Sequence, residues 1–490
     1  MHKRAQARRS TPAHTPMHLR LLCHIGLVLL GLCIGGSLSA QTGSGDRNGR
    51  AGVPRDAALP EPSASARELF SRTKDRIVQV RVLLSSASEQ SSLGSGFLVR
   101  DDGAQGAWVL TNYHVVSALA IHPEKYRIEL RGTNERKVRA QLMAVDVIHD
   151  LAVLRTEATP AEATPAPWNV FALRDTAIVQ GSKVFAMGNP LELGFVISEG
   201  IYNGPVESRI YEQMLFSGSL NSGMSGGPAI DEAGRVVGVN VATRRDGEQL
   251  SFLVPVRYAR ELLERAWTGK PRKEWRTEIG RQLLIHQDFV SSKLLADEKR
   301  ASAQPTAVPA GAAAPERARA GFASQTLAGR PVPTLDGSLT RCWARGLEGE
   351  KLRYQRDTLD CDLRADLFVS DRLFTGSLSL QHTLLRNDTL ALPQFLNLGQ
   401  GGLGSGAFRF GRGELTPAEC RDNYVSAAKH VYRVAVCVRA YRKFEGLYDY
   451  TVQATQVDNA RERQSSNLRL QGFSFENAQR LARQFLERLQ

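Results

Sequence analysis

Apolar residues recur at helical spacing in three places along the 490-residue chain. Tyr258, Ala259, Leu262, Leu263 and Ala266 share one face of a helix expected from about Val256. Ile279, Leu283, Leu284, Phe289, Val290, Leu294 and Leu295 form a second amphipathic stretch to about Asp297. Phe475, Ala478, Leu481, Ala482, Phe485 and Leu489 form a third, and Ser474 suits its N-cap. A short helix is also expected over Ala66 to Lys74. Elsewhere the period shortens to two. Asp366-Leu367-Phe368-Val369 and Tyr432-Arg433-Val434-Ala435-Val436 alternate as half-buried strands do, and Leu151-Ala152-Val153-Leu154 reads as a strand opened by Asp150.

The N-terminus follows a different pattern. Lys3, Arg4, Arg8, Arg9 and Arg20 precede an apolar run from Leu21 to Leu38, with small residues at Ser37, Ser39 and Ala40. This is the layout of a secretory signal over residues 1–40, and Met17 is an alternative start. The run is almost long enough to span a bilayer, so an uncleaved N-terminal anchor is the alternative. Without that segment the formal net charge falls from +13 to +8. The remaining basic residues are mixed with acids and form no concentrated run, which argues for a solvated surface and against a nucleic-acid partner.

Cys23 and Cys33 lie in the signal, while Cys342, Cys361, Cys420 and Cys437 fall in the last third without metal-site spacing. Neither a metal nor a redox or nucleotide cofactor is suggested. In an exported chain an even number of cysteines favours two disulfides, and short loops favour Cys342 with Cys361 and Cys420 with Cys437. Export then means the periplasm or the extracellular space, or an inner-membrane anchor with the body facing the periplasm.

Three further segments carry chemistry. Thr111-Asn112-Tyr113-His114-Val115-Val116, His149-Asp150-Leu151 and Asn221-Ser222-Gly223-Met224-Ser225-Gly226-Gly227-Pro228 place a histidine, an aspartate and a serine in that order. Singly, each has an ordinary role: a serine between glycines marks a turn, a histidine packs, an aspartate caps a strand. Together they suit acyl transfer. A serine hydroxyl needs a base within hydrogen-bond reach and a third group to orient that base, roles that fit Ser225, His114 and Asp150. Backbone N–H groups of Gly223 and Ser225 would meet the developing oxyanion. Ser219, Ser222, Asp146 and His149 stand nearby but lack the flanking pattern.

The order His, Asp, Ser resembles trypsin-like serine proteases, and the flanking residues resemble their HtrA/Deg branch. Gly94-Ser95-Gly96-Phe97, Val184-Phe185-Ala186-Met187-Gly188-Asn189-Pro190 and Gly234-Arg235-Val236-Val237-Gly238-Val239-Asn240 extend the likeness over roughly residues 68 to 265. The resemblance implies an all-β double barrel and an exported serine endopeptidase acting on proteins or peptides. It also implies a P1 pocket near Ser219, Leu220, Phe252 and Leu253, where the lack of an acidic residue favours an apolar P1. Met224 departs from the branch, which usually has Asn there. No PDZ pattern follows the protease.

The expected organisation is a signal or anchor (1–40), a polar disordered segment (41–65), the protease (66–267), a helical extension (268–298), a linker (299–320) and an α+β disulfide-containing domain (321–490). That last domain is a candidate site for an envelope partner. The alternative function is a protease-fold scaffold, weak or inactive in catalysis, whose last domain does the binding. Oligomeric state is not legible from the sequence.

Overall fold

The computed structural model describes residues 63–489 apart from 158–166, 242–250, 296–321, 399–412 and stretches of at most five residues. Strands β1 (Ile77–Leu84), β2 (Gln90–Asp101), β3 (Ala107–Thr111), β4 (Tyr126–Arg131), β5 (Lys137–Asp146) and β6 (Leu151–Thr156) close into a barrel in the order β1-β2-β3-β6-β5-β4. A second barrel, ordered β10-β11-β12-β9-β8-β7, is built from β7 (Lys183–Gly188), β8 (Val196–Pro205), β9 (Met214–Phe216), β10 (Pro228–Ile230), β11 (Val236–Val241) and β12 (Ser251–Pro255). Phe97, Leu110 and Val153 of the first barrel share a buried cluster with Phe185, Met187, Ile230 and Val239 of the second. The barrels are therefore held face to face by apolar burial, about 1.5–3 kcal/mol for each large side chain removed from water.

Helix α1 (Ala64–Thr73) starts two residues earlier than the spacing predicts, because the Ser63 hydroxyl accepts from the Ala66 N–H and caps it. The expected polar segment therefore ends before residue 63. Helix α2 (Tyr113–Ile121) follows β3, α3 (Val256–Thr268) follows the second barrel, and α4 (Trp275–Leu294) comes next. No helix among the described residues is long and apolar enough to cross a membrane.

The C-terminal part is mainly β, where an α+β mixture was expected. Hairpin β13–β14 (Ala323–Leu327, Arg330–Thr334) precedes a seven-stranded antiparallel sheet ordered β15-β16-β19-β23-β22-β21-β20. Its strands are β15 (Thr340–Leu347), β16 (Tyr354–Leu363), β19 (Leu378–Asn387), β20 (Glu419–Ala427), β21 (His430–Ala440), β22 (Tyr448–Gln456) and β23 (Glu462–Phe473). A second hairpin, β17–β18 (Leu367–Ser370, Leu373–Thr375), stands apart from it. After the short α5 (Leu392–Asn397), the closing helix α6 (Phe475–Glu487) packs Ala478, Leu481, Ala482 and Phe485 into the cluster that holds Leu380, Val452 and Leu468.

Cys342 is bonded to Cys361 and Cys420 to Cys437. Each pair sits directly opposite across neighbouring strands, so each bond ties an edge strand to the sheet. Both edge strands are exposed along most of their length and have little packing of their own. Closing loops of 19 and 17 residues stabilises the sheet by about 3 kcal/mol per bond in the chain-entropy treatment.

Helix α4 joins the two regions. Trp275, Ile279 and Leu283 belong to the first barrel's cluster, whereas Val290 and Leu294 belong to the sheet's. The sheet region thus packs on the protease-like region, and both lie in one unit, Pro62–Gln490. The expected signal and the linker at 299–320 lie outside the described residues.

Candidate active site

Loops between strands bring the three chemistry-bearing segments to the seam of the barrels. His114 lies in the first turn of α2, and Asp150 directly precedes β6. Asp150 adopts a left-handed backbone, φ 55°, which aspartate tolerates better than most side chains. This turn lets it grip the helix start at four points. Its carbonyl accepts from Tyr113 N at 3.2 Å and Asn112 Nδ2 at 2.8 Å. Its carboxylate accepts from His114 N at 2.8 Å, and Oδ2 lies 2.7 Å from His114 Nδ1. Nδ1 therefore carries the hydrogen of the neutral ring, and Nε2 is left as the basic nitrogen.

Burial disfavours the charged imidazolium, but the Asp150 charge and hydrogen bond outweigh it, and Asp371 adds to them. The net effect raises the His114 pKa above 6.5. About a quarter of the His114 side chain, 26%, stays exposed.

The serine loop is fixed from behind by Ser95 and Asn240. Ser95 Oγ donates to the Gly223 carbonyl at 2.7 Å, and Ser95 N donates to the Ser225 carbonyl at 2.8 Å. Asn240 Nδ2 donates to Met187 O at 2.9 Å and to Met224 O at 3.3 Å, while Gly226 N donates to Asn240 O at 2.9 Å. Gly226 has φ +84°, and a Cβ there would sit 2.3 Å from Ser95 O and 2.8 Å from Asn112 N. The serine loop therefore abuts the backbone two residues before His114. Gly223 also has positive φ, 94°. Among the described residues, the N–H groups of Gly223 and Ser225 have no hydrogen-bond partner. Ser225 is buried, and no hydrogen bond joins its hydroxyl to His114.

The remaining sequence candidates sort by environment. Ser219 is exposed. Leu220 and Leu253 lie in the second barrel's core beside Met224, whose side chain is 1% exposed. An apolar residue at that position is thus accounted for by packing. Phe252 occupies the alternate face of β12, with the Arg209 guanidinium 5.6 Å from its ring centroid. His149 and Asp146 form a separate pair: the ring nitrogen lies 3.0 Å from the carboxylate, and the ring stacks on Tyr258 at 3.7 Å. Burial opposes the Asp146 charge, but His149 and then Arg265 outweigh it and hold its pKa below the usual range.

Sequence reasoning did not foresee Ser95 and Asn240 as supports, although both lie inside segments used as motifs. It read Asp366 to Val369 as a strand but did not place that strand at the site, where the Phe368 ring of hairpin β17–β18 stands edge-on to His114 with centroids 6.0 Å apart.

Residues 94–239 match the family model of the trypsin-like peptidase domain. The chain is 29% identical over 188 residues to a putative serine protease HhoB of Synechocystis sp., covering 36% of this chain and 41% of that protein. It is 30% identical over 217 residues to a probable periplasmic serine endoprotease DegP-like of Brucella suis, covering 42% and 39%. It is 29% identical over 222 residues to the mitochondrial serine protease HTRA2 of Bos taurus, covering 42% and 44%. The chain spans about two fifths of the length of the curated relatives it matches.

Proposed function

We propose that this chain, HtrA/Deg-like across its two barrels, is an exported serine endopeptidase that cleaves protein substrates through His114, Asp150 and Ser225. The observation that carries this reading is the Asp150 clamp. Two carboxylate contacts at 2.7 and 2.8 Å orient His114 and leave Nε2 basic in a site shared with the serine loop. In the proposed reaction Ser225 Oγ attacks the scissile carbonyl and His114 Nε2 takes its proton, forming an imidazolium that Asp150 stabilises. The unpaired N–H groups of Gly223 and Ser225 receive the oxyanion. Collapse expels the amine, which takes the proton from His114. Water, activated by the same histidine, then releases the acyl group from Ser225. The Ser225–His114 hydrogen bond forms as substrate binds, since such contacts tighten in the Michaelis complex.

Two disulfides support a location outside the reducing cytosol, in the periplasm or beyond. An apolar P1 residue suits the uncharged Ser219 at the pocket position. The region 321–490 would add contacts to substrates or to an envelope partner. One observation favours the second reading, a binding scaffold: Ser225 and His114 share no hydrogen bond in this structure. Fluorophosphonate labelling decides between them. Mass spectrometry should place the label on Ser225 in the native protein and find none in Ser225→Ala. Failure to label the folded native protein would refute the assembled-triad reading.

A further inference from the structure

Hairpin β17–β18 belongs to the C-terminal half of the chain yet stands against the helix that carries His114. Strand alternation divides its side chains between two faces. Leu367, Val369 and Leu373 are buried in the cluster that contains Tyr113 and Val116 of α2. The buried Tyr113 hydroxyl donates to the Val369 carbonyl at 2.8 Å, pegging the hairpin to the residue beside His114. Phe368 and Phe374 are partners across the hairpin, with ring centroids 5.4 Å apart, and occupy the other face. Phe368 meets His114, while Phe374 remains 58% exposed.

A cavity of about 250 Å³ opens between this face and the second barrel. Its exposed wall is more apolar than polar, with Val241, Val254, Phe368 and Phe374 on it, and the acidic residues Asp150, Glu212 and Asp366 also border it. Such a space holds a side chain or two, not a folded partner. An open apolar wall touching a candidate catalytic histidine is an expensive surface to leave in water unless a ligand covers it. Two of its wall residues, Asp150 and Phe368, also contact His114, so the cavity lies beside the path of a polypeptide drawn across His114.

Resting on the endopeptidase reading above, the geometry points to this cavity as a substrate subsite built by the C-terminal region. It takes an apolar side chain that flanks the scissile bond, and Phe368 and Phe374 set that preference. Val369, Leu367 and Leu373 act as positioning residues that hold the two rings. The C-terminal region thereby becomes a wall of the substrate cleft.

The test compares wild type, Phe368→Ala, Phe374→Ala and Phe368→Leu on a decapeptide library randomised about its central bond, with products read by mass spectrometry. Wild type should prefer Leu, Met or Phe over Gly at one position flanking the cut by about tenfold or more. Both alanine variants should lose most of that preference, and Phe368→Leu should retain it. Selectivity is a ratio, so a loss of folded enzyme cancels from it. An unchanged ratio in both alanine variants overturns the proposal. A uniform gain on every peptide also overturns it, because the hairpin would then be a cover. The same peptides, labelled with a fluorophore and bound to Ser225→Ala protein, separate recognition from turnover. If wild type cleaves nothing, the endopeptidase reading fails. The subsite still stands if Leu peptides bind better than Gly peptides and Phe368→Ala abolishes the difference, and it falls if they bind alike.

Discussion

Acid should weaken the fold through two buried histidines, His286 where the two regions meet and His382 inside the C-terminal region, and the size of the effect follows from their surroundings. Both side chains are fully buried and share one arrangement. His286 Nε2 faces the Gly376 carbonyl at 3.2 Å, and its Nδ1 faces the Tyr211 hydroxyl at 2.8 Å. His382 Nε2 faces the Pro333 carbonyl at 2.7 Å, and its Nδ1 faces the Ser466 hydroxyl at 2.9 Å. In each ring one nitrogen donates to a carbonyl and the other accepts from a hydroxyl, which fits the neutral tautomer. Burial pushes both pKa values down to about 4.

The sign follows from comparing the two states. The unfolded chain takes up a proton below about 6.5, while the folded chain resists until about 4, so the stability is complete above 6.5 and is lost as pH falls from 6.5 to 4. At about pH 4.5 each histidine should have removed about 2.5 kcal/mol. Buried carboxyls also contribute to the pH dependence, Asp146 with a lowered pKa and Asp449 with a raised one. The diagnostic quantity is therefore the difference between wild type and a variant. His286→Gln keeps a donor and an acceptor but cannot ionise. It should cost about 1–3 kcal/mol at about pH 7.5 through imperfect hydrogen bonds. Its further loss between pH 7.5 and 4.5 should be about 2.5 kcal/mol smaller than that of wild type. Urea unfolding followed by tryptophan fluorescence measures both slopes. Equal losses in the two proteins would refute the argument.

Two further outcomes follow from the candidate site. The base must be neutral to accept the Ser225 proton, so kcat/KM should fall as pH drops through a midpoint above 6.5. Removing the Asp371 charge in Asp371→Asn should move that midpoint down, and a pH–rate profile that does not shift would contradict the assigned contribution. Gly226→Ala forces a Cβ to within 2.3 Å of Ser95 O at φ +84°. It should lose Ser225 labelling and about 2 kcal/mol or more of stability, and a variant with native labelling and melting temperature would show that the serine loop is not so tightly held.

The barrels were legible through the family resemblance that the ordered motifs carry. Apolar runs such as Leu151 to Leu154 lie beside motif residues whose order is itself informative, and the structure places Asp150 and His114 in contact. The disulfides were legible for a local reason: a short loop between cysteines becomes a hairpin whose strands place them opposite one another. Asp366 to Val369 was also readable as a strand, but its destination was not. The bond from Tyr113 to Val369 joins residues 256 positions apart, and nothing local to either end marks it. Composition also hid the mainly β character of the last region, since its one strongly amphipathic helix was easier to see than seven strands of mixed exposure.

Helix α4 shows why the two halves could not be related from pattern alone. Its apolar stripe reads as one face, yet the polar residues between those positions determine what it joins. Gln282 accepts from Val147 N at 2.7 Å and donates to Val145 O at 2.8 Å, holding the chain that leads to Asp150. Gln287 accepts from Ser474 N at 3.2 Å and Asn477 Nδ2 at 2.9 Å, holding the start of α6. Between them, His286 faces the backbone of Gly376, just after the hairpin that carries Phe368. Hydropathy scores such residues as solvent-facing, but here each satisfies backbone groups of another element and so fixes its position. One helix therefore sets the approach of Asp150 from one side and of the β17–β18 hairpin from the other. The proposed subsite is consequently a property of the joined structure, since its wall draws on the second barrel and on the hairpin together.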